Sequence, residues 1–564
     1  MKQTSHLVRN ATAIALLSAA LAVVSPFTVR GVACGHDLVF HMNSWLEVAQ
    51  QWRQGTVFPR WAANANYGAG EPRFLFYPPL SWILGGALGS IVPWPIVPVA
   101  FDVCAILLAG WAMFTMAREW FKPSEAALIS VAYLVNPYML LTLYARSAFG
   151  ELLAAPVFPL LVLWIVRDRP ARNIVIPLAL TIACVWLTNV PAAIIATYLA
   201  VLLLAMITVL RRNSRIFLFG AGAIALGLAL AAFYIVPVLF EKSWITPGQL
   251  LSPGVRPFEN FLFARTTNVE HDVFLRTVSW AAVGEVLALG FAAWSARRRM
   301  LTNSRLYWCL GISGSVAFLL MLPVAGVAYR RMPDLQFLQF PWRWLLVISV
   351  SLAVFAVAPV PHFRAKPWLY AFLFAAMIAV CNRAFQPQCD PAETPAMIAN
   401  LYHAGYGYMG TDEYTPAGAD NYEIKPDFPQ YLLYRMDGTL ALEAHVLHWR
   451  ARIYRKELIV ESPQPVQLML RLTNYPAWRV MVNGLAATPQ SEDPTGRMVI
   501  ALSSGRSEVD VRFKRTADRW LGDAMSLLAI ALITALFLTN RARGARGFEG
   551  LRDNPNPRHE ARHQ

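Results

Sequence analysis

An aspartate flanked by two histidines stands where the first apolar run of this chain ends. The stretch reads His36-Asp37-Leu38-Val39-Phe40-His41 and follows an apolar segment from Ala11 to Val29. A carboxylate at such a boundary can act as a general base toward an acceptor hydroxyl. It can equally serve as the N-cap of a helix starting near Leu38, since aspartate is a favoured cap. His41 lies one helical turn further on and would share a face with Asp37. There it can steady the carboxylate, meet a phosphate, or cap polar surface. The two side chains could also share a divalent metal, although two ligands at this spacing are a weak metal signature.

Two further constellations carry charge at the ends of apolar runs. Arg146 and Glu151, in Tyr144-Ala145-Arg146-Ser147-Ala148-Phe149-Gly150-Glu151, sit at the junction of two such runs. Ionisable groups there are paired or functional because isolated charge is costly in lipid. One reading is a mutual salt bridge between helices; the other has Arg146 meeting a phosphate and Glu151 orienting a sugar or a base. The third constellation is Leu338-Gln339-Phe340-Pro341-Trp342-Arg343-Trp344. Proline suits the first turn of a helix, and Arg343 just inside it suits phosphate binding. Interfacial aromatic and arginine anchors look similar, but Gln339 and Arg343 can both approach one helix entrance. Glu241, Arg256 and His271 lie on a polar connection that can close over a substrate or simply be solvated. His445 and His448 alternate on a strand pattern and are discounted as a metal pair. The aromatics of Asn474-Tyr475-Pro476-Ala477-Trp478 read as core.

The elements that position these residues are mostly apolar. The 564 residues are 56% hydrophobic and 15% charged, with a mean hydropathy of +0.42, where a soluble protein carries about 25% charged residues. This is the composition of a polytopic membrane protein. The formal charge of +15 falls in short clusters between apolar runs, which argues against nucleic-acid binding. Runs of about 17–25 residues match a bilayer crossing. They lie near 11–30, 97–117, 125–144, 150–166, 173–190, 191–210, 216–238, 278–296, 306–326, 344–360, 368–382 and 521–540. Pro93, Pro95 and Pro98 interrupt the run from 80 to 97, which reads as a re-entrant or interfacial helix. An uncleaved first helix is favoured over a signal peptide, because Arg30 and Gly31 break the cleavage pattern.

With the N-terminus inside, the basic loops after 117, 166, 210, 296 and 361, and the tail after 540, all fall on the cytoplasmic side. The expected organisation is therefore mainly α, with about twelve transmembrane helices. Residues 1–382 would form the transmembrane domain, including a first outer loop at 31–96. Residues 383–520 would form an extracytoplasmic β-rich domain, 521–540 the last span, and 541–564 a disordered cytoplasmic tail. The β-sandwich reading rests on alternation, as in Val466-Gln467-Leu468-Met469-Leu470-Arg471-Leu472, broken by turns such as Asn483-Gly484. The six cysteines show no metal-type pair, and Cys389 can bridge to Cys381 or Cys34.

These features resemble the GT-C glycosyltransferase superfamily. Closer still, the set Asp37-x-x-x-His41, Gly55 to Trp61, Phe76-Tyr77-Pro78-Pro79, Arg146…Glu151, Gln339-Phe340-Pro341-Trp342-Arg343 and Glu413-Tyr414-x-Pro416 resembles a bacterial membrane family labelled pyruvoyl-tetrahydropterin-synthase-related. The pterin label implies zinc chemistry, for which the sequence shows no histidine cluster. The GT-C resemblance implies a polyprenyl-phosphate sugar donor, with Asp37 as base, Arg146 or Arg343 on the donor phosphate, and a glycan, lipid or protein acceptor. It also implies an active face outside the bacterial inner membrane. Related proteins carry a histidine after Leu-Thr in a middle span, whereas this chain has Leu187-Thr188-Asn189. A non-enzymatic transporter or assembly factor for envelope polysaccharide is the alternative. No nucleotide-binding motif is present.

Overall fold

The computed structural model describes residues 2–359, 367–385, 389–492 and 494–552. A helical bundle occupies the first two-thirds of the chain, and every expected apolar run lies largely on helix. Among the described residues, six helices are long and apolar enough to cross a membrane, or eight when two bent pairs each count as one span. The difference from about twelve has local causes. Val269–Leu320 carries two of the expected runs in one 52-residue segment. Other runs form shorter helices, such as Pro341–Val357.

Proline sets several breaks. Pro79 opens the helix Pro79–Gly89, whose 11 residues are too few to cross a bilayer. The pair Pro123–Leu134 and Pro137–Tyr144 bends by 44°, because Pro137 offers no N–H to continue the first helix. The second helix is capped afresh: Asn136 Oδ1 accepts from the Met139 amide at 3.0 Å, and Glu285 Oε1 accepts from the Tyr138 amide at 3.0 Å.

Nine strands follow: β1 Tyr431–Arg435, β2 His445–Arg452, β3 Arg455–Ser462, β4 Val466–Thr473, β5 Trp478–Val482, β6 Leu485–Ala487, β7 Gln490–Ser491, β8 Arg497–Leu502 and β9 Gly505–Phe513. They form two antiparallel sheets, ordered β1-β4-β8-β7 and β2-β3-β9-β5-β6. Leu468 and Ile500 from one sheet share a core with Val460, Val480 and Val511 from the other, as period-two alternation requires. Tyr475 and Trp478 are buried in that core, as their sequence context indicated. Trp61, Leu75 and Phe76 of the first loop belong to the same core, so the sandwich sits on the bundle end that carries the first loop. The last helix, Ala517–Arg552, returns along the bundle. The expected tail begins on this helix, and residues 553–564 lie outside the described residues.

Two long-range links fix this arrangement. Cys34 is disulfide-bonded to Cys389 across 355 residues, which selects one of the two pairings open in the sequence; Cys381 is a free, buried thiol. Glu241 is fully buried and takes Arg519 in a two-point ion pair at 2.7 and 2.8 Å. It also accepts from the Tyr475 hydroxyl at 2.5 Å.

Candidate active site

The first loop is stitched to the junction between two helices. The Asp37 amide donates to the Arg146 carbonyl at 3.0 Å, the Gly35 amide to Ser147 Oγ at 2.9 Å, and Ser147 Oγ to the Ala33 carbonyl at 3.1 Å. Position 35 must be glycine for this approach, because a Cβ there would lie 2.3 Å from the Arg146 carbonyl carbon.

Asp37 occupies the N-cap position of helix Leu38–Arg53, but its side chain makes no capping bond. Among the described residues its half-buried carboxylate has no hydrogen-bond or ion-pair partner. Burial pushes its carboxyl above the ordinary aspartate range, against the pull of the nearby Arg146 and Arg343 guanidiniums. The capping reading therefore fails for the side chain, and an unspent acid remains beside two arginines.

Glu151 organises those arginines. Its Oε2 accepts Arg146 Nη1 at 2.7 Å and Arg343 Nε at 3.1 Å, while Oε1 takes the Tyr138 hydroxyl. All three charged side chains are buried. Both oxygens of Glu151 are thus committed to these three partners. Arg146 also lies over the Trp342 ring at 4.9 Å, and Arg343 over Phe340 at 4.7 Å. Arg343 Nη1 donates to the Leu338 carbonyl at 2.8 Å. Arg146 keeps Nε and Nη2, and Arg343 keeps Nη2, without a hydrogen bond to any described residue.

Gln339 explains how the Gln-Phe-Pro-Trp-Arg element turns toward this cluster. Its backbone has φ 61° and ψ −56°, and the Phe340 amide donates to the Leu338 carbonyl at 2.6 Å. This is a γ-turn of the rare, strained hand, and such strain concentrates at functional positions. The Gln339 side chain donates to the Leu250 carbonyl at 3.0 Å. That contact ties the site to the polar connection carrying Arg256 and His271. Arg256 is exposed and donates to the Leu251 carbonyl at 2.7 Å; His271 Nε2 lies 3.5 Å from the Glu259 carbonyl. Both brace that connection. Glu241 was expected to join them over a substrate and does not, because Arg519 and Tyr475 hold it in the bundle–sandwich junction.

His41 also departs from expectation. It is buried, its ring packs against Phe40, Trp45, Tyr77 and Phe149, and its one polar side-chain contact is Tyr77 Oη at 3.4 Å. Burial first, and then the Arg73 charge, lower its pKa to about 3. The ring is neutral and helps to place Tyr77 rather than to hold a carboxylate or a metal. Among the described residues no three His, Cys, Asp or Glu side chains converge on a metal position, so the ligand set of a zinc centre is not provided there.

Two residues complete the site that the sequence reading did not assign to it. Tyr77 lies close enough to Asp37 and Arg343 for their charges to act on its hydroxyl, and that hydroxyl lies beside Asn189 at Gly150. Asn189, standing where a histidine was expected, caps helix Val190–Arg211 by accepting from the Ala192 amide at 2.9 Å. Gly150 makes room for both: a Cβ there would lie 2.8 Å from Tyr77 Oη and 3.3 Å from Asn189 Nδ2. Gly150→Ala is expected to lower stability by about 1–3 kcal/mol through overpacking, read as a lower midpoint in thermal unfolding. An unchanged midpoint would show that Tyr77 moves aside freely.

Together these features define a polytopic helical membrane protein whose charged site lies beneath a β-sandwich. The chain belongs to the family described as 6-pyruvoyl-tetrahydropterin synthase related domain, membrane protein, whose family model matches residues 74–387. Two solved structures of the arabinofuranosyltransferase AftD from Mycobacteria, one of them a mutant, are similar to it at 17% identity. Their TM-scores are 0.42 and 0.41, over 70% and 73% of this chain. The chain spans 28% and 27% of the length of those structures. Comparison with the curated proteins found no match.

Proposed function

We propose that this protein is a membrane glycosyltransferase of the GT-C type, moving a sugar from a polyprenyl-phosphate donor to an acceptor on the outer face of a bacterial inner membrane. The observation that carries this reading is the unpartnered carboxylate of Asp37 beside two arginines that Glu151 holds in place. In the reaction, Asp37 takes the proton of an acceptor hydroxyl. The acceptor oxygen attacks the anomeric carbon, and the bond from that carbon to the phosphate oxygen breaks. The electron pair leaves on polyprenyl phosphate. The free nitrogens of Arg146 and Arg343 receive that charge, as preorganised donors do where charge develops. Gln339 fixes Arg343, and the connection bearing Arg256 and His271 forms a wall over the entrance. The acceptor class, whether glycan, lipid or protein, is left to the assay.

The test is transfer. Purified protein in proteoliposomes is incubated with radiolabelled polyprenyl-phosphate sugars and a membrane extract as the source of acceptors. Label appearing in any acceptor supports the enzyme. Tight retention of the lipid donor with no transfer to any acceptor would overturn it in favour of a carrier or assembly protein.

The pH dependence has a definite sign. Because folding raises the Asp37 carboxyl, its ionised form is disfavoured in the folded protein, and this residue's contribution to stability falls as pH rises through its folded value. Base action needs that ionised form. The transfer rate is therefore expected to rise with pH through an apparent value above the ordinary aspartate range. A rate already flat from about pH 4, the ordinary aspartate value, would contradict it.

A further inference from the structure

The end of the bundle opposite the site carries a second charged feature. Helix Val190–Arg211 begins at Asn189 beside Tyr77 and runs for 22 residues, about 33 Å at the helical rise. At its far end lies a cleft of about 560 Å3 lined by Arg169, Arg211, Arg212 and Arg305, with Asp168 as the one carboxylate. Asp168 takes Arg211 at 3.1 Å and Arg305 at 3.0 Å, so four guanidiniums face one acid and three positive charges remain uncompensated. Arg211 also donates to the Val166 and Arg167 carbonyls at 3.0 and 2.7 Å, closing the end of helix Val157–Val166. Its Nε is buried and has no partner. Helix Ser214–Leu230 starts at the cleft, and its 17 residues direct a positive dipole end toward it.

The apolar surroundings say which kind of anion fits. Leu210 lines the cleft, and Val209, Leu210, Phe217 and Leu218 are exposed on the two helices that border it. A soluble phosphate would leave that surface unused. A phospholipid would place its headgroup on the arginines and its acyl chains along those side chains.

We propose that this cleft binds the phosphate headgroup of an anionic phospholipid, at the membrane face opposite the transfer site. The test is native mass spectrometry of the full chain released from nanodiscs of equal phosphatidylglycerol and phosphatidylcholine. Retention of phosphatidylglycerol over phosphatidylcholine is the expected result. The triple variant Arg169→Gln, Arg212→Gln, Arg305→Gln is expected to bind it at least about tenfold more weakly, since each basic residue near a headgroup contributes to attraction. These three side chains are exposed, and the corresponding lysine triple, which keeps the charges, is expected to retain binding. Equal retention of both lipids, unchanged binding in the glutamine triple, or equal loss in both triples would overturn the proposal. So would displacement of the lipid by an equal concentration of glycerol phosphate, which would mark the ligand as a soluble anion.

Discussion

Glu151→Ala is expected to destabilise the protein by about 3–5 kcal/mol, the range for removing one partner of a buried ion pair. The wild-type cluster places two guanidiniums on one carboxylate oxygen, with Tyr138 on the other. Without that carboxylate, Arg146 and Arg343 stand buried with like charges and lose the one acid that pairs with them directly, leaving Asp37 to act on them only through space. Their rings, Trp342 and Phe340, supply far less than a salt bridge. Glu151→Gln tests the charge separately from the shape, because its amide oxygen can still accept from an arginine. A double variant, Glu151→Gln with Arg146→Gln, leaves one unpaired guanidinium instead of two. It is therefore expected to be more stable than Glu151→Gln alone, a coupling that independent residues do not show. Thermal unfolding in detergent micelles measures all three variants. A double variant less stable than the single one would mean that Glu151 acts by packing and not by neutralising the arginines.

That cluster was partly legible in the sequence. The junction carrying Arg146 and Glu151 offered a bridge as one of two readings, and the Gln339-to-Arg343 element implied an arginine entering a helix. Their meeting was not readable, because 192 residues separate Glu151 from Arg343 and no periodicity reports such a contact. Tyr138 escaped notice for a different reason: it looks like any apolar-helix tyrosine until the bend at Pro137 aims it at Glu151. Glu241 was placed over the substrate because its partner Arg519 lies 278 residues later. A buried acid whose counterion is so distant resembles a free one in a linear reading. Periodicity paired His41 with Asp37, but the aromatic rings of Tyr77, Trp45 and Phe149 close around it and leave it neutral. The sandwich was legible as alternating strands. Its β1-β4-β8-β7 order was not, since pairing of distant strands depends on which faces meet in the core.

The largest expected effect on activity comes from Asp37→Asn. General-base catalysis contributes about 10²–10⁴-fold, and that is the expected loss in transfer rate. The substitution conserves shape. It strands no donor, because the wild-type carboxylate has no partner among the described residues, and the backbone bond from residue 37 to the Arg146 carbonyl survives. Folding should be unchanged or slightly improved, since burial already disfavours the ionised acid. Donor binding should be equal or tighter, because one negative charge leaves the neighbourhood of the phosphate. The loss should therefore appear in kcat and not as a raised KM for the lipid donor.

One measurement separates a base from a bystander: single-turnover transfer from a radiolabelled polyprenyl-phosphate sugar, comparing wild type with Asp37→Asn at saturating donor and matched thermal midpoints. A base at position 37 requires the rate to fall by at least about a hundredfold while the donor remains bound. A variant that folds normally and transfers sugar at the wild-type rate would contradict it.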